Sequence, residues 1–83
     1  MENMKIIDLR SDTVTLPSKE MLQAMCNVKL GDDVFSEDPT VNSLQERAAN
    51  MMGKEESILL PSGTMGNLAS ILAHCNRGDE IIV

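Results

Sequence analysis

The chain has 83 residues, seven Lys plus Arg against thirteen Asp plus Glu for a net charge of −6, and a single aromatic residue, Phe35. A polypeptide of this length forms one small domain at most and buries only about 60% of its unfolded surface, which excludes a large multi-site enzyme for these residues alone. The acidic balance offers no basic face to a phosphodiester backbone and one phenylalanine builds no stacking platform, which excludes nucleic-acid binding as well.

Apolar residues make up 42% of the chain, carried by Met, Leu, Ile, Val and Ala rather than by large rings. Seven Met fill volume without specifying shape. That composition suits an outer or leading part of a larger core better than a mini-protein, which needs disulfides, metal or dense packing. Cys26 and Cys75 are the only cysteines, and the start Met1-Glu2-Asn3-Met4-Lys5 is polar. No apolar run approaches the length of a signal core or a membrane span, so the expectation is a reduced, cytoplasmic setting.

In chain order, Asp8-Leu9-Arg10-Ser11-Asp12-Thr13-Val14-Thr15 is polar at nearly every other position. As a strand it would place Ser11 and Thr13 on one side and Asp12 on the other; as an exposed arm it would pair Arg10 with Asp8 or Asp12. Pro17, Pro39 and Pro61 are evenly spaced, and each sits where a helix can begin. The residues after them share only a hydroxyl at the next position, which makes them punctuation rather than a repeat. From Ser18 to about Asn27, Met21, Leu22 and Met25 give a short helical face with Ser18 as N-cap. Residues 31–38 lack periodicity and carry four carboxylates, so they read as a loop. Asp38 as cap, Pro39 at the first helical position, and Val41, Leu44, Ala48 and Met51 before Gly53 predict the clearest helix. Ser57-Ile58-Leu59-Leu60 reads as a strand, Pro61-Ser62-Gly63-Thr64 as a turn, and Met65, Leu68, Leu72 and Cys75 as the face of a further helix that ends at Asn76-Arg77-Gly78. Glu80-Ile81-Ile82-Val83 reads as a second strand.

Apolar strands flanking a helix indicate a mostly parallel sheet covered on both faces. One such unit does not cover itself. The fold class expected is therefore α/β, with this chain as an N-terminal piece that supplies helices and the first strands and is incomplete as it stands. Residues 1–17 form an arm, 18–54 the helices with the acidic loop, and 55–83 the start of an α/β domain.

Ser62-Gly63-Thr64 is the segment with a physical reason to bind an anion. A helix N-terminus presents unpaired amides and the positive end of its dipole, glycine admits close approach, and either hydroxyl adds a donor. The competing reading is that Ser62 or Thr64 merely caps the helix. A Walker loop is excluded, because no Gly-Lys-Ser/Thr follows. His74 has no metal-ligating partner at helical spacing and is read as a polar residue near a helix end. The acidic loop lacks the ligand pattern of an EF-hand, and no metal site is expected.

Four segments in one order, Ile7-Asp8-Leu9-Arg10-Ser11-Asp12-Thr13-Val14-Thr15, Gly31-Asp32-Asp33-Val34, Glu37-Asp38-Pro39-Thr40-Val41-Asn42 and Pro61-Ser62-Gly63-Thr64-Met65-Gly66-Asn67-Leu68, closely resemble the N-terminal region of L-threonine aldolases of the low-specificity type. The resemblance runs from about Lys5 to Val83. It implies the aspartate-aminotransferase fold type, pyridoxal 5′-phosphate as cofactor, and retro-aldol cleavage of L-threonine or L-allo-threonine to glycine and acetaldehyde. It makes residues 55–83 the opening of a cofactor-binding domain and implies a homo-oligomer, dimer or tetramer, when full length. Residue by residue, Gly63 and Thr64 would hold the cofactor phosphate with Ser62 supporting the turn, and Ser11 would hydrogen-bond the substrate carboxylate. Phe35 stands where the family commonly has Tyr, and Ser36 where Gly is frequent. Lys5, Lys19, Lys29 and Lys54 match no catalytic position. The lysine that carries the cofactor lies outside this chain, so the isolated chain is expected to be inactive. The alternative is a non-catalytic truncated or degenerate product that acts, if at all, as an interaction module with full-length subunits.

Overall fold

The computed structural model describes residues 4–83, so the first three residues of the expected arm lie outside it. Three α-helices follow in order, α1 (Lys19–Cys26), α2 (Pro39–Met52) and α3 (Gly63–His74). Short 3-10 turns at Asp12–Val14 and Asp33–Phe35 precede α1 and α2 respectively.

Each helix starts where a side-chain oxygen takes an amide that the helix itself cannot satisfy. Ser18 Oγ accepts from the Met21 amide at 3.2 Å to begin α1. Asn27 closes that helix, its side-chain amide donating to the Gln23 carbonyl at 2.9 Å. The start of α2 is the most heavily bonded point in the chain. Asp38 Oδ1 accepts from the Thr40 and Val41 amides, both at 3.0 Å, while Oδ2 reaches back to the Gly31 amide at 3.3 Å. Thr40 Oγ1 donates to the Lys29 carbonyl at 2.7 Å, and the Asn42 side-chain amide donates to the Ser36 carbonyl at 2.9 Å. The acidic loop is thus folded onto the first turn of α2 by three side chains of that turn.

The closure dictates a glycine. A β-carbon at Gly31 would collide with the Glu37 carbonyl oxygen and stand 2.6 Å from the Glu37 carbonyl carbon, both of them backbone. Within the loop, Asp32 caps the Asp33–Phe35 turn through a 2.9 Å bond from the Val34 amide, and Ser36 takes a left-handed conformation at φ 57°. At the other end of α2, Gly53 adopts φ 63°. Its amide donates to Asn50 and that of Lys54 to Ala49, the paired bonds by which a left-handed glycine ends a helix.

The face that α2 turns inward differs from the periodic stripe. Val41, Gln45 and Ala48 are half-buried and Ala49 is buried, whereas Leu44 is half exposed and Met51 largely exposed. Residues 55–59 return along this face, with Glu55, Glu56 and Ser57 beside Ala49, and Ile58 and Leu59 beside Leu44 and Ala48.

Neither expected strand, 57–60 or 80–83, forms a β-ladder, and the described residues contain no strand. A ladder requires a neighbouring strand, and these two segments do not pair with each other. The Asp8–Thr15 segment is likewise no strand; its Ser11 hydroxyl takes the Thr13 amide and closes a turn, the local competition that hydroxyl side chains offer to extended structure. Cys75 falls one residue past α3, in extended conformation.

Little of the apolar content is covered. The accessible surface is 8612 Å2, against about 4,900 Å2 for a compact monomer of this mass. The radius of gyration is 18.0 Å, where a compact chain of this length has about 12 Å. Ile82, Val83, Leu16 and Leu9 are nearly fully exposed. The helices are therefore set by caps and local bonds rather than by a shared core.

The Asp38 carboxyl is held below the usual carboxylate range by the Val41 amide, opposed by burial and aided by the Gly31 and Thr40 amides. A carboxyl lowered in the folded state stabilises that state above its unfolded pKa of about 4, and the effect is lost as pH falls through the lower, folded value. Far-UV circular dichroism of the chain should therefore show helicity constant from about pH 7 to 5 and falling below about 4. Asp38→Asn, which keeps an oxygen acceptor but not the charge, should remove part of that fall.

Candidate functional site

The α3 N-terminus is built by Ser62, whose extended backbone and hydroxyl end the preceding segment and start the helix. Ser62 Oγ accepts from the Met65 amide at 3.1 Å, and its carbonyl accepts from the Gly66 amide at 3.0 Å. The amides of Gly63 and Thr64 and the Thr64 hydroxyl are left without a partner among the described residues. Three donors thus lie at the positive end of a helix dipole, a location that favours a phosphate or carboxylate. The cap and anion readings turn out to involve different atoms: Ser62 caps, and Gly63 with Thr64 remain free.

Gly63 bears on whether a ligand fits. Its φ is not left-handed, and a β-carbon there would meet nothing within 4 Å. The chain's own packing therefore supplies no reason for a glycine.

The turn is positioned from both sides. Leu60 lies over the first turn of α3, its Cδ1 3.8 Å from where a β-carbon on Gly66 would stand. Upstream, the segment is bonded to α2 through Gln45: Ser57 Oγ donates to the Gln45 carbonyl at 2.5 Å, and the Leu59 amide donates to Gln45 Oε1 at 2.9 Å.

Ser11, the candidate for a substrate carboxylate, belongs to a separate cluster. Its Oγ accepts from the Thr13 amide at 3.2 Å and the Thr13 hydroxyl at 2.9 Å and lies 3.3 Å from Asp12 Oδ1, to which it donates. Thr15 Oγ1 donates to the Asp12 carbonyl at 2.6 Å. Arg10 pairs with Asp8 rather than Asp12, Nη2 to Oδ2 at 2.5 Å, with Nε in reach of both carboxylate oxygens. The Arg10 guanidinium and then its amide hold the Asp8 carboxyl low, and the guanidinium is raised in turn. Among the described residues no hydrogen bond joins this arm to the 62–64 turn, and the two candidate subsites are not linked by one.

Among the described residues, no group of three or more His, Cys, Asp or Glu is placed to hold a metal ion, and no helix is long and apolar enough to cross a membrane. Cys26 and Cys75 are free.

A family model described as beta-eliminating lyase matches residues 8–83, nearly the whole chain and both candidate subsites. The chain belongs to the beta-eliminating lyase family. The low specificity L-threonine aldolase of Escherichia coli is 59% identical over 78 residues, 94% of this chain and 23% of the relative. Low-specificity L-threonine aldolase 1 of Arabidopsis thaliana is 54% identical over 81 residues, 96% of this chain and 23% of the relative. The low specificity L-threonine aldolase of Saccharomyces cerevisiae is 42% identical over 67 residues, 81% of this chain and 17% of the relative. The chain spans about a quarter or less of the length of these family members.

Sequence reasoning selected Ser11, Ser62, Gly63 and Thr64 and passed over Gln45. A polar residue one step from the Leu44 position of an apolar stripe reads as solvent-facing. The signal that marks it is the apolar 58–60 segment, which must pack on something and whose amides need acceptors.

The division of labour at the turn is measurable by denaturant unfolding of the protein that carries this region. Ser62→Ala should destabilise by about 0.5–2 kcal/mol, the usual loss for an N-cap hydroxyl. Gly63→Ala should leave stability unchanged or slightly raised, since its methyl meets open space.

Proposed function

We propose that this chain is the N-terminal portion of a threonine aldolase, a cytoplasmic enzyme cleaving L-threonine and L-allo-threonine to glycine and acetaldehyde with pyridoxal 5′-phosphate. The observation that carries the reading is that a segment 54–59% identical to low-specificity threonine aldolases bears, at Gly63 and Thr64, an open helix terminus of phosphate-binding form. When bound, the cofactor supplies an electron sink for the Cα–Cβ cleavage. The residues of this chain bind and orient. Gly63 and Thr64 amides and the Thr64 hydroxyl donate to the phosphate, and Ser62 holds the turn. Ser11 exchanges its Asp12 contact for the substrate carboxylate, fixing the amino acid so that its Cα–Cβ bond is presented correctly.

In this reading residues 1–17 are an arm that brings Ser11 to the site, 18–54 pack against the remainder of a longer chain, and 55–83 open the cofactor-binding domain. The exposed Ile58, Leu59, Ile81 and Ile82 then gain sheet neighbours, and the large apolar surface is covered by the rest of the subunit and by further subunits of a homo-oligomer.

In the full-length enzyme, Thr64→Val should weaken pyridoxal 5′-phosphate binding roughly ten- to hundredfold, the loss of a charge-assisted hydrogen bond. Equilibrium dialysis checks this, and unchanged affinity would leave Thr64 with no phosphate role. Ser11→Ala should raise KM for threonine and lower kcat/KM roughly fivefold or more, read from steady-state kinetics. Wild-type kinetics would make Ser11 a cap of the arm and nothing else. The isolated 83-residue chain should release no acetaldehyde from threonine and show no cooperative melt.

A further inference from the structure

We propose that Gln45 is a positioning residue for the phosphate turn, acting on Gly63 and Thr64 through residues 57–60; the inference rests on the cofactor reading above. Two bonds carry it. Gln45 accepts from the Ser57 hydroxyl through its backbone carbonyl at 2.5 Å and from the Leu59 amide through Oε1 at 2.9 Å. These are the hydrogen bonds that join the 57–60 segment to α2 among the described residues.

The remainder of the path is short. Leu60 follows Leu59 and rests on α3 at Gly66, whose amide is bonded to the Ser62 carbonyl. Residues 57–60, which lead into the turn carrying the open amides, are therefore tied to Gln45 on α2 at one end and rest on the first turn of α3 at the other. Gln45 is half-buried on the same side of α2 as Ala48 and Ala49, where it bonds Leu59. The other end of α2 is fixed by Asp38, which makes the helix a fixed rail for the segment. An acceptor in this position sets where the chain enters the turn, and a phosphate cup depends on donor placement to a fraction of an ångström.

The phosphate can be read separately from the rest of the cofactor by comparing pyridoxal 5′-phosphate with pyridoxal, which lacks it. In the full-length protein, Gln45→Ala should reduce the ratio of the two affinities roughly three- to tenfold, the effect of one displaced or lost hydrogen bond. Gln45→Glu, which keeps an acceptor at the same reach, should restore most of the ratio. Gln45→Met, of similar length without the acceptor, replaces the alanine variant if that one fails to fold. Equal loss for both ligands, or an unchanged ratio in Gln45→Ala and Gln45→Met, would overturn the assignment. Thr64→Val run alongside separates the two claims. A reduced ratio in Thr64→Val with none in the Gln45 variants refutes the Gln45 role alone, and no change in Thr64→Val refutes the phosphate reading on which it rests.

Discussion

The Asp38 carboxylate is the constraint on which the 29–38 loop and the start of α2 depend. It is 8% exposed, and both its oxygens are engaged, one by two amides of the first turn of α2 and the other by Gly31, seven residues upstream. A helix start and a loop closure are thereby combined in one side chain. Pro39 contributes by its fixed φ, and Thr40 and Asn42 tie the Lys29 and Ser36 carbonyls to the same turn. Gly31 follows as a necessity, since the closure leaves no room for a β-carbon.

From that anchored helix, order is passed on by hydrogen bonds more than by a core. Gln45 receives the 57–60 segment, Leu60 seats on α3, and Ser62 starts the helix whose open amides form the candidate site. Among the described residues Ala49 is the buried apolar side chain, with Val41 and Ala48 on α2 and Leu60 and Cys75 beyond it half-buried, while most of the Met, Leu and Ile side chains face outward. Exposure on this scale marks surface meant for a partner or for further chain. The compared family members are more than four times as long as this chain, and the proposed reading has the 57–60 and 80–83 segments take sheet neighbours there.

What was legible in the sequence was mainly what local chemistry fixes. Ser18, Asp38 and Ser62 as caps, Pro39 at the first helical position and Gly53 as terminator all act within a few residues, and all three helices stand where these signals place them. The features that escaped depend on distance along the chain. The inward face of α2 includes Gln45 and Ala49, against which the returning 55–59 segment lies, whereas Leu44, between that segment and α1, stays half exposed and Met51 largely exposed. For residues 8–15 the arm reading with an Arg10–Asp8 pair holds over the strand reading, while the turn at Asp12–Val14 escaped, because Ser11 offers the Thr13 amide a nearby bond. Of the candidate site, the helix terminus at Ser62–Thr64 was readable, since a helix start carries its own amides; the placement of Ser11 relative to it was not, since no hydrogen bond among the described residues joins them.

The central claim is that the free amides of α3, with the Thr64 hydroxyl, are a phosphate cup. A crystal structure of the full-length protein with pyridoxal 5′-phosphate tests it most directly. The account predicts phosphate oxygens within roughly 2.7–3.2 Å of the Gly63 and Thr64 nitrogens and of Thr64 Oγ1, with Ser62 Oγ still bonded to the Met65 amide. A phosphate held elsewhere, with the Gly63 and Thr64 amides facing water or closed by the rest of the chain, would contradict it.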